Sequence, residues 1–480
     1  MRREGKLVKN TIILSVGNFF PKLVAIFTLP ILTAQLTKTE YGTFDLVSTL
    51  VALLLPVVTL QIQSAAFRFL IDCRNDIYRT SIIVTNIFAV IIPISTVVLL
   101  ILYFCLNGID PFTRLIICIY FFIDILYIAI QQVARGLSFN LSYSVASIIL
   151  SLQNIIMLLI FVLHLGWGLK GTLLSLIISY MVSMTFLILR IRKYCIISFN
   201  FISLSSIKEM LAYSWPMVPN NLSNWVLALS DRLIITAFLG VEANAVFAVA
   251  NKIPYLFTTV QSTFTMAWQE NASMASGDSD ACNYYSKIFN NVFSLLSGMM
   301  AILIAFTPIL FSQLIKGDYD EAYYQMPLLF LSMLFSCLSS FLGGIYVASK
   351  KITSVGITTI VAAACHVIIN LTLIKKLGIT ACSVSTLISY LVLVIYRMLD
   401  LKRIQSIKYN YRKIALFLFI LTIMSVISYQ RVMLLDLLNF GIAVPFACIG
   451  NRKLLKFGLS IMKKSFSLTT QKVTRRIFSN

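Results

Sequence analysis

Histidine occurs only twice in this 480-residue chain, at His164 and His366, and acidic residues number 18. Each histidine stands alone beside apolar runs, which suits a structural imidazole better than a catalyst or a metal ligand. The nine cysteines are scattered, with no CxxC and no Cys/His cluster. That excludes the usual signatures of a metal site or a disulfide framework. No GxxxxGK[ST] loop occurs, so no built-in ATPase is expected. Charged residues reach only 12%, about half the share of a soluble domain. No polar stretch is long enough for a separate soluble domain, and the loops stay within about 20 residues. A membrane polymerase or glycosyltransferase would need a large loop or an acidic metal motif. Neither is present, so transport leads catalysis and the chain reads as a non-enzyme.

What the chain has in abundance is apolar sequence: 59% hydrophobic residues and a mean hydropathy of +0.89. A transmembrane helix needs roughly 20 apolar residues to cross about 30 Å of hydrocarbon. Such runs recur at 11–36, 44–71, 81–105, 112–134, 140–163, 171–190, 211–239, 243–267, 288–315, 326–349, 354–374, 378–398, 413–429 and 432–449. The expected fold class is an all-α polytopic membrane protein of about 14 transmembrane helices. The net charge of +21 fits loop bias better than nucleic acid. With the N-terminus inside, 28 of the 39 Lys and Arg fall on cytoplasmic segments, 7 on outer loops and 4 within helices. That bias places both termini in the cytoplasm. "MRREGKLVKN" lacks a small-x-small cleavage site and leads into an uncleaved first helix. The basic tail, 451–480, is either an amphipathic helix on an anionic leaflet or a solvated tail.

A polar, basic break near 191–210 divides the first twelve helices six and six. "LTKTEYGTFDLVS" (Leu36–Ser48) after helix 1 aligns with "LGVEANAVFAVAN" (Leu239–Asn251) after helix 7 at an offset of 203, matching Leu36 to Leu239 and Phe44 to Phe247. The expected organisation is a lobe at 1–193, a second at 194–400, two further helices at 401–450, and the tail. Both lobes start inside, so a pseudo-two-fold axis along the membrane normal would relate them.

The informative residues are ionisable groups inside helices, where a charge costs at least about 2.5–3.5 kcal/mol and normally faces a cavity or a partner. Lys22 follows Pro21 and lies roughly 17 Å along helix 1 from Thr11, too deep for easy snorkelling. Lys252 sits similarly in helix 8. Arg68 and Arg135 lie near cytoplasmic ends and either snorkel or bind. Asp124 is a counter-ion or a proton-coupling carboxylate. Bases outnumber acids, so a water-filled cavity lined by them would attract an anion. An exporter of cationic drugs should show the reverse.

Helix 7, "SWPMVPNNLSNWVLALSDRLIITAFLG" (Ser214–Gly240), carries two prolines, three asparagines and an adjacent Asp231–Arg232 pair. Positions seven and eleven apart fall within about 20° of each other, so Asn220, Asn224 and Asp231 form one line, with Asn221 and Arg232 beside it. Pro216 and Pro219 can bend the helix. Asp231 and Arg232 point about 100° apart, so each can have its own partner. A substrate contact and an outer latch between the lobes both remain open for them.

"SWPMVPNNLSNWVLALSDRLIITAFLGVEANAVFAVANKIP", "ILTAQLTKTEYGTF", "TMAWQE" and "GITACSVSTLISYLV" resemble segments of the bacterial polysaccharide-biosynthesis flippases. These are the O-antigen and capsule repeat-unit translocases (Wzx type) of the multidrug/oligosaccharidyl-lipid/polysaccharide exporter superfamily. The resemblance implies a MATE-like pair of six-helix lobes in a V shape plus two C-terminal helices, in the bacterial inner membrane. It implies movement of undecaprenyl-pyrophosphate-linked oligosaccharide to the outer leaflet by alternating access. Membrane lipids, the polysaccharide polymerase and the chain-length machinery would be partners, and nucleic acid would not. No cofactor is expected; a proton or sodium gradient, or the membrane potential, would supply the energy. Lys22 and Arg68, with Lys252, would hold the pyrophosphate; Asn220 and Asn224 would line the cavity. Asp124, Asp231 and Arg232 would couple or latch. A multidrug/cation antiporter of the same fold and a membrane polymerase are the alternatives.

Overall fold

The structure is a computed structural model. It describes the backbone of residues 2–452 except Asn75, Cys195 and Gly277, and side chains from Val16 on, apart from Asn18, Asn220, Ile352 and several between Leu256 and Glu270. The basic tail expected at 451–480 lies almost wholly outside the described residues.

The described residues are helical almost throughout. In chain order the helices are α1 (Arg2–Gln35), α2 (Lys38–Val58), α3 (Ile62–Asp72), α4 (Ile77–Cys105), α5 (Pro111–Gly136), α6 (Asn140–Leu158), α7 (Gly168–Ile191) and α8 (Leu204–Ser214). There follow α9 (Met217–Leu239), α10 (Val241–Ala275), α11 (Ala281–Leu314), α12 (Asp320–Ala348), α13 (Ile352–Leu377), α14 (Thr380–Ile404), α15 (Tyr411–Ser428) and α16 (Met433–Gly450). All but α3 and α8 have 18 residues or more, which leaves fourteen long helices, one for each apolar run. Twelve are long and apolar enough to cross a membrane on their described residues; α1 and α10 are the remaining two.

Two runs that read as single helices are broken. The second run stops at Val58 and resumes at Ile62. Pro56 removes one hydrogen bond near the end of α2, and Leu60 and Gln61 take left-handed φ values of 47° and 56°. The seventh run is split at Trp215–Pro216 into α8 and α9. Pro216 stands at the N-cap of α9 and Pro219 in its first turn, where no intrahelical N–H is needed. The prolines therefore start a helix rather than bend one.

One carboxylate organises the ends of two helices. Glu40 Oε2 accepts from the backbone N of Thr37 at 3.0 Å, while Thr37 Oγ1 accepts from the backbone N of Glu40, closing a capping box on α2. The other oxygen, Oε1, accepts from the backbone N of Leu169 at the start of α7 at 3.1 Å.

The helices form two compact units. The first comprises residues 1–263, 312–322 and 359–386. In it α1 packs on α6, α6 and α5 on α7, α3 on α5, and α2 on α9. Its core is aliphatic, with Val58, Ile62, Ile87, Phe121, Ile125 and Leu173 all but inaccessible. The second comprises 264–311, 323–358 and, among the described residues, 387–452. There Trp268 stacks on Phe341 with centroids 4.3 Å apart, and its indole N–H donates to the Phe341 carbonyl. Arg397 is buried and donates to the Ser339 carbonyl and Thr358 Oγ1. Helices α15 and α16 flank an apolar groove of about 590 Å³ with Lys413 at its edge. Many large apolar side chains of both units stay exposed, Phe27, Val97, Ile368 and Phe419 among them. On a bundle this apolar, such surfaces face lipid.

Candidate functional site

The densest polar cluster lies inside the first unit, at the C-terminal half of α9. Helix α2 presents Gly42, Asp45 and Thr49 at i, i+3 and i+7, on one face. Trp225 and Arg232 of α9 are seven apart and meet that face. The guanidinium of Arg232 donates through Nε to Asp45 Oδ2 at 2.8 Å, with the side chains 10% and 8% exposed. Trp225 Nε1 donates to the Thr49 carbonyl at 3.3 Å. The beginning of α10 closes on the same face: Asn244 Nδ2 donates to the Gly42 carbonyl at 3.2 Å, and Thr39 Oγ1 donates to Glu242 Oε1 at 2.9 Å. A Cβ on Gly42 would stand 2.1 Å from the Val241 carbonyl oxygen, so only glycine permits this approach.

Asp231 turns the other way. Its Oδ2 accepts from Thr386 Oγ1 of α14 at 3.0 Å, and Oδ1 accepts from Asn370 Nδ2 of α13. His366 Nε2, one turn before Asn370, lies 3.1 Å from the same Oδ1. Asn370 is tied onward to the Cys382 thiol at 3.0 Å. His366 and Asp231 are 1% and 5% exposed. Two carboxylates, one guanidinium and one imidazole are thus buried together. Asp45 and Arg232 neutralise each other, so the protonation of His366 decides whether the cluster carries net charge zero or minus one.

Beside this cluster, α1, α2, α6, α7 and α10 enclose a cavity of about 220 Å³ lined by Tyr41, Ser151, Asn154, Thr172 and Lys252 among others. The Tyr41 hydroxyl is fully buried and has no hydrogen-bond partner among the described residues. Asp45 and Arg232 lie within electrostatic reach of Lys252. Lys22 Nζ sits 5.5 Å from the centre of the Tyr255 ring. Among the described residues neither lysine is ion-paired with a carboxylate.

The sequence-derived candidates therefore separate. Asp231 and Arg232 share the buried cluster through different partners. Lys252 lines the adjoining cavity, and Lys22 is half-buried against α10. Arg68 stands apart: it is half-exposed on α3 and paired with Asp72 one turn on, at 2.7 Å. Arg135 lies between Phe67 and Tyr143, 4.8 and 5.5 Å from their ring centres. Asp124 is buried on α5 and accepts from the Tyr180 hydroxyl. Asn224 is exposed and the Asn220 side chain lies outside the described residues; among the described members of the polar line, Asp231 is the buried one. His366 corrects the reading of both histidines as solitary, because α9 supplies its carboxylate. Sequence reasoning also passed over Asp45, Asn370 and Thr386. The available signal was four-residue spacing, His366 with Asn370 and Cys382 with Thr386, which sets polar pairs on single helix faces.

A family model described as "Polysaccharide biosynthesis protein" matches residues 7–269. No curated protein matches the sequence. Among solved structures, the lipid II flippase MurJ in its inward closed conformation superposes with a TM-score of 0.69 at 14% identity, covering 92% of this chain and all of that one. An inward-facing multidrug resistance MATE family transporter of the MOP superfamily gives 0.63 at 14% identity, over 80% of this chain and 98% of that one. A MOP superfamily transporter from Pyrococcus furiosus, described as having a binding pocket of reverse polarity, gives 0.57 at 15% identity, over 82% and 94%. With the family model matching more than half of the sequence and the fold agreeing over nearly all of it, the chain belongs to the polysaccharide biosynthesis protein family, built on the fold of the MOP superfamily transporters.

Proposed function

We propose that the protein is a flippase that carries prenyl-pyrophosphate-linked oligosaccharide units, of the O-antigen, capsule or exopolysaccharide kind, from the cytoplasmic to the outer leaflet of the bacterial inner membrane. The observation that carries this reading is the pair of lysines, Lys22 and Lys252, inside the bundle without a carboxylate partner among the described residues. Lys252 borders a cavity whose other polar lining is hydroxyl and amide. Such a lining favours a phosphate-bearing headgroup and a glycan over a cationic drug. Arg68 adds a cation whose exposed pair with Asp72 is weak enough to be exchanged for a phosphate oxygen.

Transport follows alternating access. The α2 face must leave α9 and α10, which requires Arg232 to release Asp45 and Asn244 to release Gly42. Asp231 and His366 couple this movement to protons, because one proton changes the net charge of a buried cluster. Asp124, tied to Tyr180, is the second carboxylate that a proton could reach.

The test is surface polysaccharide in a strain deleted for the gene and complemented with Lys22→Gln, Lys252→Gln or both. Loss of surface polysaccharide with normal amounts of inserted protein is expected. Normal polysaccharide in the double variant would refute the assignment. Resistance to cationic drugs conferred by the wild-type protein, without any effect on polysaccharide, would favour the antiporter reading.

A further inference from the structure

The segment that joins α7 to α9 follows an unusual path. Its extended stretch is bonded along one face of α4. Thr80 Oγ1 donates to the Tyr194 carbonyl at 2.7 Å, and Ser81 Oγ accepts from the backbone N of Ile196 at 2.8 Å. Thr85 Oγ1 accepts from Ser198 N at 3.4 Å. Asn86 bonds twice, donating to the Phe201 carbonyl at 3.1 Å and accepting from Ser203 N at 2.9 Å. The four α4 side chains are almost fully buried. Along α4 they span about 9 Å.

While its backbone is satisfied by α4, the segment turns apolar side chains outward. Phe199 is 87% and Leu204 81% exposed, with Ile196, Ile197 and Trp215 also well exposed. Tyr194 and Tyr213 add amphipathic rings. The ladder satisfies these backbone groups without water. Irregular backbone near hydrocarbon depth needs such a ladder, because an unbonded N–H or C=O there has no water to turn to. Trp and Tyr mark the interface between headgroups and hydrocarbon. Within 190–215, exposed Arg190, Arg192, Lys193 and Lys208 stand against one acid, Glu209.

We propose that residues 194–215 form a membrane anchor seated in the headgroup layer, apolar side chains in lipid, and that its basic rim selects acidic phospholipids. Charge names this occupant: an apolar ridge accompanied by four bases matches an anionic bilayer surface. The anchor goes beyond transport itself, since it makes the connection between α7 and α9 sensitive to lipid composition.

The test uses the full-length protein in nanodiscs, with tryptophan introduced as Phe199→Trp and, separately, Leu204→Trp. Both positions are exposed, so packing is undisturbed. The added emission is quenched by lipids brominated on their acyl chains or by acrylamide in the water. Bromolipid quenching is expected to dominate, and to be about threefold stronger for brominated phosphatidylglycerol than for brominated phosphatidylcholine at equal mole fraction. The preference should vanish in Arg190→Gln/Arg192→Gln/Lys193→Gln. Quenching by acrylamide but not by bromolipid overturns the anchor and leaves the ridge to a protein partner. Equal quenching by both bromolipids, or a preference that survives the triple substitution, overturns the selection of acidic lipid.

Discussion

Arg232 and Asp45 are buried together, so removing one strands the other. Arg232→Ala is expected to lower stability by about 3–5 kcal/mol, the usual cost of an uncompensated buried charge. Asp45→Ala/Arg232→Ala should recover most of that loss, and thermal unfolding of the four proteins in detergent gives the cycle. Additive losses would mean the two side chains do not act as a pair. For Asp231 the informative partner is His366. With His366→Gln the cluster keeps a neutral polar side chain but loses its titrating group. Transport in proteoliposomes should then no longer respond to an imposed proton gradient, and an unchanged response would remove His366 from coupling. How much of this was legible follows from what one helix can tell. The 100° between Asp231 and Arg232 could be read from their adjacency, and it gave two partners in two directions. The partners themselves could not be read: Asp45 is 187 positions from Arg232, and Asn370 is 139 from Asp231. Sequence periodicity reports a residue's own face and nothing about which face it meets.

At the scale of elements, the fourteen apolar runs became fourteen long helices because length and hydropathy alone decide them. The interruptions were harder to see. Pro56 is visible, but the left-handed pair Leu60–Gln61 contains neither glycine nor asparagine, the residues that usually announce such a turn. The approach of α2 to α10 is the element-level feature on which the proposed mechanism depends. Thr39 and Glu242 touch there, so Thr39→Cys/Glu242→Cys, in a protein with the nine native cysteines replaced, should form a disulfide that stops flipping. Reductant should restore it; full activity of the crosslinked protein would show that α2 and α10 need not part. Gly42→Val tests the same contact sterically and should abolish polysaccharide export while leaving insertion intact, read by membrane fractionation and glycan staining.

The scale of the whole molecule adds one relation that the sequence hinted at. Thr39 and Glu242 are 203 residues apart, the same offset that aligns Leu36 with Leu239. Two residues related by a repeat can touch only near the axis that relates them. That contact is what an axis passing beside Thr39 and Glu242 would require; the weak alignment could not show that α9 and α10 would join α2 in one compact unit. If each of the fourteen long helices crosses the membrane, the chain returns to the side where it began. Reporter fusions should show it: a C-terminal green fluorescent protein should fluoresce and a C-terminal alkaline phosphatase should stay inactive. The opposite pattern would overturn either the even number of crossings or the cytoplasmic N-terminus.

Asp231 and Arg232 are neighbours on one helix, yet one is held by α13 and α14 and the other by α2. Helix α9 is gripped from two sides at a single level. A small rotation or slide cannot ease one grip without straining the other, so intermediate positions gain nothing. Such an arrangement behaves as a detent: it resists until a threshold and then lets go. A carrier built this way would spend its time at the ends of its stroke, where its load is enclosed, and little in the leaky middle.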